Sequence, residues 1–157
     1  MAVPSVWGIT YFDQSGKRGF KDYWAHDRDE EKLAFTSFID WVFERWTNYK
    51  EMHIYHYGAY EINALRRLMG RFGVKEYEVD TLLRNEVFVD LYKIIRQGLL
   101  VGEPSYSIKN IEHLYREKRD TEIASGGESV VVYEEWRANP DGKTWKESKT
   151  LNAIRMY

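Results

Sequence analysis

Met52-His53-Ile54-Tyr55-His56-Tyr57-Gly58-Ala59-Tyr60-Glu61-Ile62-Asn63-Ala64-Leu65 reads as a short strand that breaks at a glycine into a helix. Met52, Ile54 and His56 fall on one face of a two-residue period, and His53, Tyr55 and Tyr57 fall on the other. Beyond Gly58, the apolar residues Ile62, Leu65, Leu68, Met69 and Phe72 recur at three- and four-residue steps. That spacing predicts an amphipathic helix over 61–72 with Glu61 in its first turn. Glu61 therefore stands at a strand's exit, where ligands of open α/β sheets gather. The helix dipole also favours an acid in a first turn, so spacing leaves both a chemical and a structural role open for Glu61.

Upstream, Val6-Trp7-Gly8-Ile9-Thr10-Tyr11-Phe12 is rich in β-formers, and Asp13-Gln14-Ser15-Gly16-Lys17 is a turn signal. Phe20-Lys21-Asp22-Tyr23-Trp24 is expected to return as the second arm of an antiparallel hairpin. Asp27 followed by Glu30 fits a capping box, with His26 just outside it, and opens a helix over 28–47. Downstream, helices are expected over 77–84 and 91–98, around a buried strand Val87-Phe88-Val89-Asp90-Leu91 that ends in an acid. Ser105-Tyr106-Ser107 caps a further helix through Ile108, Ile111 and Leu114. Gly126-Gly127 reads as a loop, 129–136 is apolar on one side, and a last helix is expected over 144–157. A hairpin followed by alternating helices and strands places the chain in the α/β class with a mixed sheet.

The sequence has 157 residues, the size of a single domain with a sizeable core. It contains no cysteine, which excludes disulfides, thiolate zinc sites and cysteine nucleophiles. No apolar run approaches the ~18 residues of a membrane span and no basic region precedes an apolar stretch at the N-terminus, so a cytoplasmic setting without membrane contact is expected. The 23 basic and 25 acidic residues give a net charge of −2, which neither supports nor forbids a polyanionic partner. Arg66, Arg67, Arg71, Lys109, Arg116, Lys118 and Arg119 are candidate phosphate contacts. His53, His56 and Glu61 do not suit zinc, because positions 53 and 56 of a strand face opposite sides.

His56-Tyr57-Gly58-Ala59-Tyr60-Glu61 resembles the second motif of RNase H-like 3′→5′ exonuclease domains of the DEDD superfamily. Phe88-Val89-Asp90-Leu91-Tyr92, then Ser105-Tyr106-Ser107-Ile108-Lys109 with Glu112, then Val132-Tyr133-Glu134-Glu135-Trp136 follow in the order seen in bacterial RecB-like nucleases. The resemblance covers nearly the whole chain and extends to the hairpin and the run from Trp24 to Glu31. It implies an RNase H-like mixed sheet with flanking helices, the opening hairpin antiparallel and the later strands parallel. It also implies a nuclease that acts on DNA or RNA with Mg²⁺ or Mn²⁺. Glu61 is then the catalytic, metal-binding acid, and His56, Tyr57, Tyr60, Asp90, Ser107 and Lys109 are substrate-side or structural.

Two family motifs have no counterpart in the sequence: a strand bearing Asp-x-Glu ahead of Val6, and a terminal Tyr-Asn-x-x-Asp-Cys. The expectation is therefore an incomplete copy of one domain over 1–157, inactive alone, whose missing strand a second copy of the chain could donate. A non-catalytic nucleic-acid-binding or protein-interaction module on the same fold is the alternative.

Overall fold

In the computed structural model the described residues are 5–116, 126–144 and 146–156. They divide into two compact units, Met1–Ile111 and Glu112–Tyr157.

The first unit opens with strands β1 (Ser5–Phe12) and β2 (Arg18–Ala25), paired antiparallel in the register Trp7 to Tyr23 and Ile9 to Lys21. Alternation turns Trp7, Ile9 and Tyr23 toward the core, and the Trp7 ring stacks on Phe38 with centroids 5.1 Å apart. The Tyr11 ring lies across Gly19 so closely that a Cβ there would sit 2.6 Å from it and would displace the ring. Helix α1 (Arg28–Asn48) starts at the expected capping box: Asp27 accepts from the Glu30 amide at 2.8 Å, and the Glu30 carboxylate accepts from the His26 amide at 2.7 Å. Its stripe of Phe35, Phe38, Ile39, Val42 and Trp46 is the centre of the core.

Strand β3 (Ile54–His56) leads into α2 (Tyr60–Phe72), which closes at Gly73 in the left-handed region. Next come α3 (Glu76–Arg84), β4 (Phe88–Asp90), α4 (Leu91–Gly98) and the single helical turn α5 (Ile108–Ile111). β3 and β4 pair in parallel, Ile54 with Phe88 and His56 with Asp90, as the expected crossover through α2 requires. Leu65, Leu68, Val79, Leu82 and Val87 close the core from this side.

The hairpin and the β3–β4 pair remain separate two-stranded sheets, so the hairpin does not close directly onto β3. A cleft of about 150 Å³ lies between them, with Trp7 and Ile9 of β1 on one wall, Ile54 and His56 of β3 on the other, and Phe38 and Leu65 below.

The second unit contains α6 (Gly126–Ala138) and α7 (Lys149–Met156), with Tyr133 and Leu151 buried. Two expectations are corrected here. Gly126 and Gly127 do not form a loop but begin α6, whose valine run is helical despite its β-propensity; the helix is anchored by the buried Tyr133, while Val130 and Val131 are exposed. The last helix begins at Lys149 rather than at 144, because Ser148 acts as its cap, its Oγ accepting from the Leu151 amide at 3.3 Å. Asp141 holds the turn ahead of it. The Ser148 hydroxyl, the Trp136 indole N–H at 3.1 Å and the Lys143 amide at 3.1 Å all bond to its carboxylate, which keeps its pKa below the usual value. No helix among the described residues is long and apolar enough to cross a membrane.

Tyr23 supplies a test of the core. Its hydroxyl is buried without a hydrogen-bond partner among the described residues, and burial, reinforced by Tyr11, pushes its pKa up from 10.0 to about 12. The folded pKa exceeds the unfolded one, so this contribution to stability is complete below pH 10 and is lost as pH rises through about 12. Tyr23→Phe is expected to leave stability at neutral pH unchanged or raised by up to about 1 kcal/mol, and to flatten the alkaline decline. Urea denaturation across the pH range checks both, and a clear neutral-pH loss would contradict this account.

Candidate functional site

Gly58 makes the site possible. Its φ of 90° lets the chain leave β3 and turn at once into α2, a conformation a side chain would strain. The Gly58 amide donates to Asp90 Oδ1 at 2.8 Å, and the Tyr92 amide donates to the same oxygen at 3.0 Å. One carboxylate thus ties the β3–α2 turn to the start of α4. On the other side of the turn the His56 ring is buried, and its Nδ1 lies 2.7 Å from the Gly58 carbonyl oxygen. Glu61 Oε2 lies 3.7 Å from the same nitrogen, beyond hydrogen-bond reach, so the carbonyl is the partner of that ring N–H.

Glu61 stands in the first turn of α2, after an Ala59 that provides no side-chain cap. Its side chain is 43% exposed, yet Oε2 is buried against the cleft without a hydrogen-bond partner among the described residues. Trp7 Nε1, across the same cleft, is also buried without a partner. A polar carboxylate oxygen and an indole donor thus border one gap between two strand edges.

Tyr57, Asp90 and Ser107 border a different and larger cavity, of about 730 Å³, on the α4 side of the turn. The Tyr57 hydroxyl donates to the Tyr106 carbonyl at 2.5 Å and its ring meets Tyr92 edge to face at 5.7 Å. Ser107 is committed to the next turn through its hydroxyl, 2.6 Å from Asn110 Oδ1. Tyr60 is 73% exposed and, like Lys109, lines neither cavity. The structure therefore splits the candidate residues between two neighbouring spaces.

A family model of the RNase H superfamily, RNase_H_2, matches residues 4–153. The chain belongs to the RNase H superfamily. No curated protein and no solved structure matches it. Its mixed α/β architecture, with the antiparallel hairpin and the parallel β3–β4 pair, is a reduced RNase H-like fold.

RNase H superfamily members generally use Mg²⁺ or Mn²⁺. Such ions need several hard oxygen ligands at one point. The residues present do not fit that requirement. Among the described residues no three His, Asp or Glu side chains come together as a metal site. Near the β3 exit Glu61 is the available acid, because Asp90 Oδ1 already accepts two amide hydrogens.

Of the candidate phosphate contacts, Arg71 is spoken for by the buried Glu31, at 2.8 Å, which the sequence reading missed. Lys118 and Arg119 lie outside the described residues. Sequence reasoning also passed over Lys93 and Arg96, whose i, i+3 spacing on a helix opened by Asp90 places both on the larger cavity.

Proposed function

We propose that the chain is the Glu61-bearing part of a metal-dependent, RNase H-like nuclease that cleaves nucleic-acid phosphodiester bonds, of the DEDD 3′→5′ exonuclease type in RecB-like nucleases. The cleft between β1 and β3 carries this reading. Among the described residues it is bounded by two unpaired strand edges, floored by apolar side chains, and bordered by Glu61 Oε2, which has no hydrogen-bond partner there. A strand seated there would satisfy both edges, and acids on it would add to Glu61 the ligands that the described residues lack. His56, Tyr57, Tyr60, Asp90, Ser107 and Lys109 are assigned to the substrate side or the scaffold. A second copy of the chain is one donor for the strand, which a light-scattering mass would register as a dimer.

The expected result is no cleavage of single-stranded or duplex DNA or RNA by the 157-residue chain with Mg²⁺ or Mn²⁺. Supplying both missing motifs by fusion, an apolar strand bearing Asp-x-Glu ahead of β1 and Tyr-Asn-x-x-Asp-Cys after α7, is expected to confer metal-dependent cleavage that Glu61→Gln removes. Turnover by the chain alone that Glu61→Ala abolishes would show that other acids of the chain complete the site, whereas a fused protein that folds and stays inert would overturn the nuclease reading. The second outcome favours the other reading, a nucleic-acid-binding module, for which the missing ligand cluster speaks.

A further inference from the structure

We propose that the cavity between α4 and the β3–α2 turn is a binding site for single-stranded nucleic acid, with phosphates held by Lys93 and Arg96 and a base laid against Tyr57 and Ile108. This rests on the reading that the domain handles nucleic acid, and adds to it a location, a strand type and a residue set separate from Glu61. At about 730 Å³ the cavity is in the usual size range of ligand sites. Its lining joins cations, aromatic rings and one fixed carboxylate.

The cations are the first argument. Several basic side chains elsewhere in this unit have partners: Arg71 pairs with Glu31, Lys75 with Asp40 and Glu78, and Arg84 with Asp80. Lys21 lies 5.2 Å from the Trp41 ring centroid, and Arg45 lies 5.3 Å from that of Tyr11. Lys93 and Arg96 have no carboxylate partner among the described residues, although both border a cavity that contains Asp90. Asp90 is not free to pair with them as a flexible surface acid would be, since two backbone amides hold its Oδ1. Arg96 is steadied by Tyr92, its guanidinium 6.0 Å from the ring centroid. Two cations against one immobilised anion leave a positive rim facing an open space.

The walls decide the strand type. Tyr57 and Ile108 offer apolar and aromatic surface below that rim. A duplex keeps its bases stacked inside and would meet this concavity with its backbone alone, whereas a single strand can turn a base into it. Stacking against a ring is indifferent to base identity, so the site is expected to discriminate little by sequence.

The test is fluorescence anisotropy of labelled single-stranded DNA and RNA oligonucleotides with EDTA present, so that neither metal nor cleavage enters. Lys93→Ala/Arg96→Ala is expected to weaken binding by about tenfold or more and to lower the slope of log K against log salt by about 1.4, as for two lost phosphate contacts. Arg84→Ala, on the exposed surface of α3, serves as the control for a general loss of charge. Circular dichroism is expected to show the fold unchanged, because both replaced side chains are exposed. A double variant that binds within twofold of wild type, or no binding by wild type, overturns the site. Equal competition by duplex of the same length overturns the strand type. Equal competition by polyglutamate of matching charge assigns the cavity to acidic peptides instead. Loss of binding in the double variant, with no cleavage by the fused protein, would sink the nuclease reading and leave this site standing.

Discussion

Asp90→Ala is expected to lower the free energy of unfolding by about 2–4 kcal/mol. Two costs combine in that range. The α4 cap goes, because Asp90 accepts from the Tyr92 amide at 3.0 Å, and the Gly58 amide at 2.8 Å loses its acceptor at a part-buried position. A lost cap costs about 1 kcal/mol and a buried donor left unmade costs about 1–3. Asp90→Asn keeps a carbonyl oxygen in the same place and should recover most of the loss. It also removes the one negative charge among the described residues lining the larger cavity, so it is expected to tighten oligonucleotide binding while Asp90→Ala confuses binding with unfolding. Urea denaturation of the two variants separates these roles, and an alanine variant as stable as wild type would mean that the carboxylate does not hold the turn.

Leu65→Ala is expected to cost about 3–5 kcal/mol, near the upper end for a leucine truncation. Leu65 is fully buried and belongs both to the main core and to the floor of the cleft. The lost methyl groups would enlarge a space of about 150 Å³ that its walls already fail to fill, so little relaxation can offset the loss. Leu82→Ala, equally buried but away from the cleft, provides the comparison. A Leu65 variant markedly less destabilised than the Leu82 variant would show that the cleft walls collapse inward.

Local chemistry was legible in the sequence wherever the decisive partners are close along the chain. The Asp27–Glu30 capping box, the break at Gly58 and the apolar stripe of α2 were each predicted and are each present. The parallel pairing of β3 with β4 followed from the crossover that α2 provides. What escaped depends on distant neighbours. Nothing near Glu31 in sequence announces that Arg71, 40 positions away, neutralises it in the core. Three consecutive valines argue for a strand by propensity, yet they lie in α6, whose buried anchor is Tyr133 rather than the valines. The two-residue period already set His56 and Tyr57 on opposite faces, and they border different cavities, but that Asp90 and Ser107 join Tyr57 while Glu61 joins His56 depends on contacts distant in sequence.

The Gly58–Asp90 bond also has a bearing on the order of folding. It joins groups 32 positions apart, whereas the α1 cap is closed by residues 3 apart and the hairpin by a tight turn. Loop closure must be accomplished before such a distant contact is rewarded. The hairpin and α1 can therefore form early on local contacts, and the parallel pair that frames both cavities consolidates late. Substitutions in α1 should then act chiefly on the folding rate, and substitutions around Asp90 on the unfolding rate. The part of the chain proposed to meet ligands is accordingly the part that opens first.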